Sequence, residues 1–262
     1  MVIDTWFSMG KQHRICEDYV ANSNNIIVVS DGCSSSKKTD VGSRILSHLI
    51  LSEIGKVADF DSGVFLALSK AEEIRLELGL PETSLDGTIG ILQRKDNRIF
   101  AKFFGDGVLL VKYKNGVTTV DSIVYDNEMP YYISYDLSKS RLDQYAGMSI
   151  GETLHVYSYA FAEDKVEKNV QNYAYYHRPE FEVEVKDIEY VLICTDGVKS
   201  FIDENQKGLV IDNVVKELTD FKGFKGEFLK RRINFTLRGY KKIGVYNFDD
   251  LGIGAMYVGD EE

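Results

Sequence analysis

NIIVVSDGCSSS, residues 25–36, is the stretch that decides the fold. Residues 26–29 are apolar and β-branched, which predicts a buried strand. Asp31-Gly32 follows at the carboxyl end of this strand, and a serine-rich turn then leads into a helical pattern. A carboxylate at the tip of a buried strand is costly unless something positive compensates it. The stretch therefore predicts a strand that carries Asp31 to a site able to hold a cation.

The same arrangement recurs twice along the chain. Residues 190–194 are apolar and run into Thr195-Asp196-Gly197, and Asp249-Asp250 stand before the apolar residues 251–258. Hard divalent cations such as Mg²⁺ and Mn²⁺ prefer carboxylate, carbonyl and water oxygens. Three carboxylate sites, distant in sequence but each at a strand end, suggest one shared divalent metal centre.

Turn chemistry is the alternative interpretation of these Asp-Gly pairs, because Asp-Gly is a favoured hairpin corner. It is strongest for a further pair, Asp106-Gly107, which has apolar strands on both sides. It is weaker for Asp31 and Asp196, where no second strand returns at once. From spacing alone both interpretations stay open.

Composition excludes several classes of protein. The 262 residues include 31 basic and 41 acidic ones, a net charge of −10, so no basic excess exists to neutralise nucleic-acid phosphates. The cysteines number 3, an odd count, and include no CxxC pair, so the sequence does not predict a framework of disulfide bonds. The start of the chain does not resemble a signal peptide, and no apolar run is long enough to span a membrane. We expect a soluble cytoplasmic monomer that binds neither nucleic acid nor membrane.

Periodicity predicts a mixed order of elements. Helices are expected over about residues 41–54, 62–78, 209–218 and 226–237, and strands over residues 3–8, 26–29, 88–93, 98–104, 108–113, 117–124, 152–161, 181–185, 189–194 and 251–258. The apolar face of the second helix is expected to comprise Phe65, Leu68, Ala71, Ile74 and Leu78. Residues 181–185 and 189–194 are interpreted as a hairpin, and residues 125–144 and 162–178 as irregular. This order indicates an α+β protein, and without a Pro-, Gly- or Ser-rich linker we expect a single domain over residues 1–262.

Six short motifs occur in a characteristic order: SMGxxHRxCEDY, VVSDGCSSS, LDGTIG, FFGDGVLLV, LICTDGVKS and FDDLGIGAMYV. In this order they resemble the metal-dependent Ser/Thr protein phosphatases of the PPM family (type 2C), especially its bacterial branch. The resemblance extends from about Asp4 to Val258. It implies an antiparallel β-sandwich flanked by helices on both faces, an αββα arrangement.

The resemblance also implies a ligand set for two Mn²⁺ or Mg²⁺ ions and a third ion in bacterial members. The implied metal residues are Glu17, Asp18, Asp31, the Gly32 carbonyl, Asp106, Asp196 and Asp249. Asp31 would bridge two ions, whereas Asp18 would hold metal-bound water or bind more directly. Asp250 would be only a neighbour. The change from the family's Gly-Asp-Ser-Arg to Gly105-Asp106-Gly107-Val108 weakens the case for the third ion.

The implied reaction is attack of a metal-activated water on the phosphorus of phosphoserine or phosphothreonine in proteins. Asp18, His13 and Arg14 are the candidate catalytic residues, and either His13 or Arg14 replaces the family's phosphate-binding arginine. A solvated loop histidine is an equally good interpretation of His13. The expected partners are phosphorylated proteins of a bacterial Ser/Thr kinase pathway. Two alternatives stay open: a catalytically inactive module that binds phosphoproteins, and a metal-dependent esterase of small phosphoesters.

Three further groups of residues have ordinary structural interpretations. Cys16, Cys33 and Cys194 are interpreted as small buried residues at strand ends rather than as a soft-metal or redox site. The tyrosines between residues 125 and 176 are interpreted mainly as packing groups, although they also suit a peptide-binding flap. Residues 230–232 are interpreted as a solvated helix face with buried stems.

Overall fold

The structure is a computed structural model that describes residues 1–57, 59–162 and 165–259. Within these residues the strands, in chain order, are Val2–Ser8 (β1), Tyr19–Asn22 (β2), Ile26–Gly32 (β3), Gly87–Lys95 (β4), Arg98–Phe104 (β5), Gly107–Tyr113 (β6), Thr118–Tyr125 (β7), Thr153–Ala162 (β8), Lys165–Ala174 (β9), Glu180–Glu184 (β10), Ile188–Cys194 (β11), Phe201–Ile202 (β12), Tyr246–Asn247 (β13) and Leu251–Tyr257 (β14). The helices are Thr39–Ile54 (α1), Phe60–Glu77 (α2), Lys139–Met148 (α3), Ile211–Thr219 (α4) and Phe228–Lys242 (α5).

Two antiparallel sheets form the centre of the fold. The larger has the strand order β1-β14-β11-β6-β7-β8-β9, and the smaller has the order β10-β5-β4-β3-β2. Strands β12 and β13 make a separate short pair. The first and last long strands, β1 and β14, pair along their whole length, so the two ends of the chain meet in one sheet.

Strand β3 shows how the sequence builds the layers. Successive side chains of a strand point to opposite faces, and all four residues of the run 26–29 are buried. Ile27 and Val29 belong to the core between the two sheets. Ile26 and Val28 belong to a second core, formed with α1 and α2. An unbroken apolar run is what a strand covered on both faces requires.

Strand β11 repeats this pattern in the larger sheet. Val191 and Ile193 enter the core between the sheets, whereas Leu192 and Cys194 enter a third core that includes residues of α4 and α5. The layers are therefore helices, sheet, sheet and helices. The predicted α+β fold, an antiparallel β-sandwich with helices on both faces, is confirmed.

The predicted apolar face of α2 is partly wrong. Leu68 and Ala71 are buried as expected, but Phe65 and Leu78 are 61% and 60% exposed. The buried side of the helix instead includes Val64 and Ala67. Val64 and Ala67, which are smaller than Phe65 and Leu78, face the core. The prediction placed the apolar face wrongly because it counted the large apolar residues.

Residues 125–144 were predicted to be irregular, and this prediction is wrong. They contain a 3₁₀ helix at Ile133–Leu137 and most of α3. Tyr131 and Tyr145 are buried and pack edge to face with ring centroids 5.5 Å apart. Because tyrosines rather than aliphatic residues fill this part of the core, the usual helical periodicity is missing from the sequence.

The prediction for residues 162–178 is also wrong, because β9 lies within them. Within the described residues this strand is the edge of the larger sheet, and its one pairing partner is β8. Backbone hydrogen bonds to β8 hold this strand in the sheet. Its side chains, among them Val166 and Val170, are largely exposed. The sequence therefore lacks the alternation that marks a half-buried strand.

Residues 181–185 and 189–194 do not form the predicted hairpin. Strand β10 pairs with β5 in the smaller sheet, whereas β11 pairs with β14 and β6 in the larger one. A 3₁₀ turn at Val185–Asp187 carries the chain from one sheet to the other. Strand β2 was not predicted at all, since it has only four residues.

The basic residues at the start of α5 are only partly solvated. Lys230 is exposed as expected, but only 11% of the Arg232 side chain is exposed, and its Nε donates to the carbonyl of Glu217 at 2.7 Å.

None of the helices in the described residues is both long and apolar enough to cross a membrane.

Candidate metal centre

Strand β3 brings Asp31 to the edge of the smaller sheet. In the pairing with β4, Asp31 lies opposite Thr88 and Gly32 lies opposite Gly87. A Cβ atom at Gly87 would lie 2.6 Å from the carbonyl oxygen of Asp31, so only glycine permits this approach. The backbone N–H of Gly32 donates to the carbonyl of Glu17 at 3.2 Å. The first acidic motif is therefore fixed beside the Asp31-Gly32 pair.

Strand β11 ends in a 3₁₀ turn, Asp196–Lys199, which carries the second carboxylate. A Cβ atom at Gly197 would lie 1.6 Å from the carbonyl oxygen of Asp250. The hydroxyl of Ser200 accepts the backbone N–H of Asp249 at 3.1 Å. The turn that carries Asp196 is thus packed directly against the segment that carries Asp249.

Asp249 and Asp250 point in different directions. Asp250 is buried, and its carboxylate accepts the backbone N–H groups of Gly10 at 2.7 Å and Glu17 at 2.6 Å. Asp249 lines the cavity described below. Asp250 therefore anchors the loop of the first acidic motif, and Asp249 is the one that faces the cavity.

His13 stands among three carboxylates. Its Nε2 lies 2.9 Å from Asp249 Oδ1, and its Nδ1 lies 3.3 Å from Asp250 Oδ2 and 3.5 Å from Glu17 Oε2. Ligand atoms of His13, Glu17 and Asp250 all lie within 4.8 Å of one another, a spacing that a metal ion can use. Both Asp250 oxygens already accept backbone N–H groups. We therefore interpret His13 and Asp250 as residues that hold Glu17 and Asp249 in position.

Asp18 lies behind the cavity rather than on its surface. It is only 1% exposed, and Thr195 Oγ1 donates to its Oδ2 at 2.7 Å. Its other oxygen, Oδ1, has no hydrogen-bond partner within the described residues. An unpartnered buried carboxylate oxygen beside Asp31 is an acceptor available to water or a cation. Burial raises the pKa of Asp18 well above its usual range.

One cavity of about 550 Å³ collects most of the predicted ligands. On one side it is lined by Asp31, Gly32, Asp106, Asp196 and Asp249. The lining also includes large side chains: Met129, Pro130, Tyr132, Tyr135, Tyr145 and Met148. Carboxylates from four segments that are distant in sequence therefore face the same space.

The pKa values of these carboxylates reflect their burial and the charges of their neighbours. Burial, together with the neighbouring charges of Asp18 and Asp196, raises the pKa of Asp31 well above its usual range. Burial and the charge of Asp196 raise the pKa of Asp106 to about 7 and also raise that of Asp249. Like charges held this close favour a shared proton or a cation. These carboxylates offer oxygen ligands only, which fits a hard divalent cation, and the lining also includes His13 and Cys33.

The other two predicted site residues, Glu17 and Arg14, do not line the cavity. Glu17 Oε1 accepts a hydrogen bond from Thr39 Oγ1 at 2.7 Å at the base of α1. Arg14 is exposed and does not line the cavity. Asp86 lines the same cavity but already accepts hydrogen bonds from Ser36, Ser134 and Arg141 at 2.7–3.0 Å.

The prediction that all three cysteines are buried is correct only for Cys194. Cys16 and Cys33 are half-buried, and all three are free. Burial raises the pKa of the Cys194 thiol to about 12. Cys33 lines the cavity and lies 3.1 Å from the hydroxyl of Ser35.

Sequence reasoning overlooked Lys199, which also lines the cavity. A signal was present, because Lys199 follows Asp196 by three residues. In the tight turn that an apolar strand followed by Asp-Gly indicates, residues at this spacing lie on the same side.

Comparison with known proteins gives a consistent family and fold. Residues 9–231 match the profile of the family described as protein phosphatase 2C. The serine/threonine phosphatase Stp1 from Staphylococcus aureus superposes with a TM-score of 0.57 at 12% identity, covering 99% of this chain and 96% of that chain. PppA, a regulatory component of the type VI secretion system in Pseudomonas aeruginosa, gives 0.55 at 15% identity, covering 97% and 95%.

A third solved structure was determined with metal present. The catalytic domain of the serine/threonine phosphatase PstP, in complex with 2 manganese ions, superposes with a TM-score of 0.53 at 16% identity, covering 97% of this chain and 96% of that chain. No protein of curated function matches the sequence significantly. At these identities the superpositions show a shared fold.

Proposed function

The chain belongs to the protein phosphatase 2C family, and on this premise we propose that it hydrolyses phosphoserine and phosphothreonine in proteins with the help of Mn²⁺ or Mg²⁺. The observation that carries the proposal is the single cavity that Asp31, Asp196 and Asp249 share. Each comes from a different strand end, and only the assembled fold brings them together. An arrangement needed merely for turns would not require these three carboxylates to face one another.

The residues present fit a group of divalent cations. Asp31 would serve two ions, with the Gly32 carbonyl as a further ligand, and Asp196 and Asp249 would complete the ligands of one ion and Glu17 those of the other. Asp106 would contribute to a third. When bound, such cations supply the Lewis acidity that activates water and neutralises charge on phosphoryl oxygens. The manganese ions of the PstP structure support this assignment by analogy of fold.

Other residues of the chain hold the proposed metal-binding carboxylates in position. His13 Nε2 holds the carboxylate of Asp249 at 2.9 Å, so we assign His13 a positioning role. Thr195 Oγ1 fixes the Asp18 carboxyl, which leaves Oδ1 of Asp18 available to a water. Arg14 is exposed outside the cavity, and we assign it no role in phosphate binding.

The aromatic wall suits a peptide substrate. Tyr132, Tyr135 and Tyr145 line the same cavity as the carboxylates, and Tyr135 and Tyr145 lie with ring centroids 4.8 Å apart. Such a wall excludes water on one side of the phosphoryl group and presents rings to the flanking peptide. Phosphorylated proteins of a Ser/Thr kinase pathway remain the proposed substrates.

Hydrolysis of a phosphothreonine peptide and of an aryl phosphate, each with Mn²⁺ or Mg²⁺ and with chelator, tests the proposal. We expect turnover that chelator abolishes and that Asp196→Asn reduces by roughly a hundredfold or more. Asp220→Asn is the matched control, because Asp220 is paired with Lys222 at the surface and lies outside the cavity.

Two other outcomes identify the rival functions. Phosphopeptide binding without turnover indicates a regulatory module that kept the fold. Turnover of the aryl ester alone indicates an esterase of small phosphoesters. Either result contradicts the proposed protein phosphatase activity.

A further inference from the structure

The cavity is strongly acidic, although its proposed substrate is an anion. Asp31, Asp106, Asp196 and Asp249 line it, and a phosphoryl monoester carries a charge of about −1.5 to −2 near neutral pH. Bound cations would neutralise part of the carboxylate charge, but the outer phosphoryl oxygens still need a partner. A cationic side chain at the cavity is the direct physical solution.

Lys199 is such a side chain. Among the described residues that line the cavity, it is the only lysine or arginine. Its ammonium group makes no hydrogen bond or ion pair with any described residue. By contrast, the buried Lys102 is paired with both Asp61 and Glu180. A half-buried, unpaired lysine beside a cavity is an available anion ligand.

The backbone of Lys199 is held firmly in place. Val198 before it is buried, and Gly197 packs against the carbonyl oxygen of Asp250. Ser200 after it donates its hydroxyl to the carbonyl of Gly197 at 2.8 Å. The lysine therefore extends from a fixed turn, three residues after Asp196, and its positive charge opposes the effect of burial on the pKa of Asp106.

We propose that Lys199 binds the phosphoryl group of the substrate, and this inference rests on the proposed function. A lysine ammonium is a compact point charge with three donors, and it suits phosphoryl oxygens without requiring a fixed plane. Lys199 supplies the phosphate-binding charge that neither Arg14, which is exposed, nor His13, which is engaged with carboxylates, provides.

A different role for the same charge has different consequences. If Lys199 only balances the carboxylates of Asp106 and Asp196, its removal strengthens divalent-cation binding and leaves phosphate binding unchanged. If it binds substrate, its removal weakens phosphate binding and raises KM. These two readouts separate the roles.

The experiment uses the full chain with Mg²⁺ and three variants: Lys199→Met, Lys199→Arg and the control Lys207→Met. Lys207 is an exposed lysine in the same part of the chain and lies outside the cavity, so its variant makes the same change in net charge. Binding of inorganic phosphate is measured by calorimetry, and KM and kcat are measured with a phosphothreonine peptide. Thermal unfolding checks that each variant is folded.

We expect Lys199→Met to weaken phosphate binding and raise KM by roughly tenfold to a hundredfold, the range for a hydrogen bond to a charged group. Lys199→Arg retains most of the binding, because the positive charge is kept, and Lys207→Met behaves like the wild type. Phosphate binding and KM that are unchanged in Lys199→Met overturn the inference, as does a wild type that binds no phosphate.

Failure of this inference is distinguishable from failure of the proposed function. A wild type that turns over peptide, with a Lys199→Met variant of equal KM, overturns only the role of Lys199. A wild type without turnover, whose phosphate binding depends on Lys199, overturns only the phosphatase activity.

Discussion

The carboxylate of Asp250 accepts the backbone N–H of Glu17 at 2.6 Å, across 233 residues of sequence. The same carboxylate accepts the N–H of Gly10, and Asp250 is almost fully buried. This side chain, rather than its neighbour Asp249, therefore ties the loop of the first acidic motif to the last strand. Adjacent aspartates thus have separate tasks, one in stability and one at the cavity.

Replacement of these two aspartates should have opposite effects on stability. Asp250→Ala removes the acceptor of two buried N–H groups and should lower the free energy of unfolding by about 3 kcal/mol. Asp249→Asn removes a charge from a crowded cavity and should leave the metal-free protein equally stable or more stable. Urea unfolding in the presence of chelator measures both. Equal destabilisation by the two variants would contradict the separate roles.

Gly197→Ala should disturb the contact between the segments that carry Asp196 and Asp249. The added Cβ would lie 1.6 Å from the carbonyl oxygen of Asp250, so the backbone must move. We expect a loss of about 3 kcal/mol in unfolding free energy, and a fall in kcat/KM on the order of a hundredfold as Asp196 moves. Gly239→Ala in α5 is the matched control.

A Cβ at Gly239 meets no atom within 4 Å, so this control should stabilise the helix by about 0.5–1 kcal/mol and leave activity unchanged. A Gly197→Ala variant that is as stable and as active as the wild type would show that the close contact is unimportant.

Metal removal should destabilise the protein, because the carboxylates that face the cavity then lack their cations. We expect saturating Mn²⁺ to raise the unfolding free energy by about 2.7 kcal/mol at a hundredfold excess over Kd. Asp31→Asn should abolish this gain and raise the stability of the metal-free protein. The melting temperature, with Mn²⁺ and with chelator, measures both effects. A Tm of the variant that still rises with Mn²⁺ would remove Asp31 from the ligand set.

His155 provides a pH test of the outer strands. Asn172 and Asp126 hydrogen-bond to its two ring nitrogens, and these bonds raise the pKa of His155 above its usual value. The folded protein therefore binds this proton more tightly than the unfolded chain does. The resulting stability is present below about pH 6.5 and is lost as the pH rises through the folded pKa.

An NMR titration of the His155 ring measures this pKa directly. Asn172→Ala should lower it, since Asn172 lies on β9, opposite His155 on β8. A His155 pKa that does not change in this variant would contradict the pairing of β8 with β9.

The fold was predictable where burial leaves a pattern in the sequence. Residues 26–29 and 190–194 are covered on both faces, and the resulting apolar runs identified both strands. Strand β9 was missed because its exposed edge imposes no such pattern, and α3 was missed because tyrosines such as Tyr145 fill its core side. The sequence therefore indicated the layers of the sandwich but not its periphery.

The candidate site was predictable to the extent that its residues follow strand ends. Asp31, Asp196 and Asp249 were found in this way, and all three line the cavity. Lys199 was missed because its spacing from Asp196 indicates a shared side of the turn but not the cavity beside it, which only the assembled fold reveals. The anchoring role of Asp250 was equally invisible, since it depends on backbone N–H groups more than 200 residues away.

The most direct test of the account is an anomalous-difference map of crystals grown with Mn²⁺. We predict manganese peaks in the cavity, with at least one within coordinating distance of Asp31, Asp196 and Asp249 together. Absence of manganese from this cavity at saturating Mn²⁺, or peaks confined to other carboxylates, would contradict the central claim that these three side chains form a metal centre.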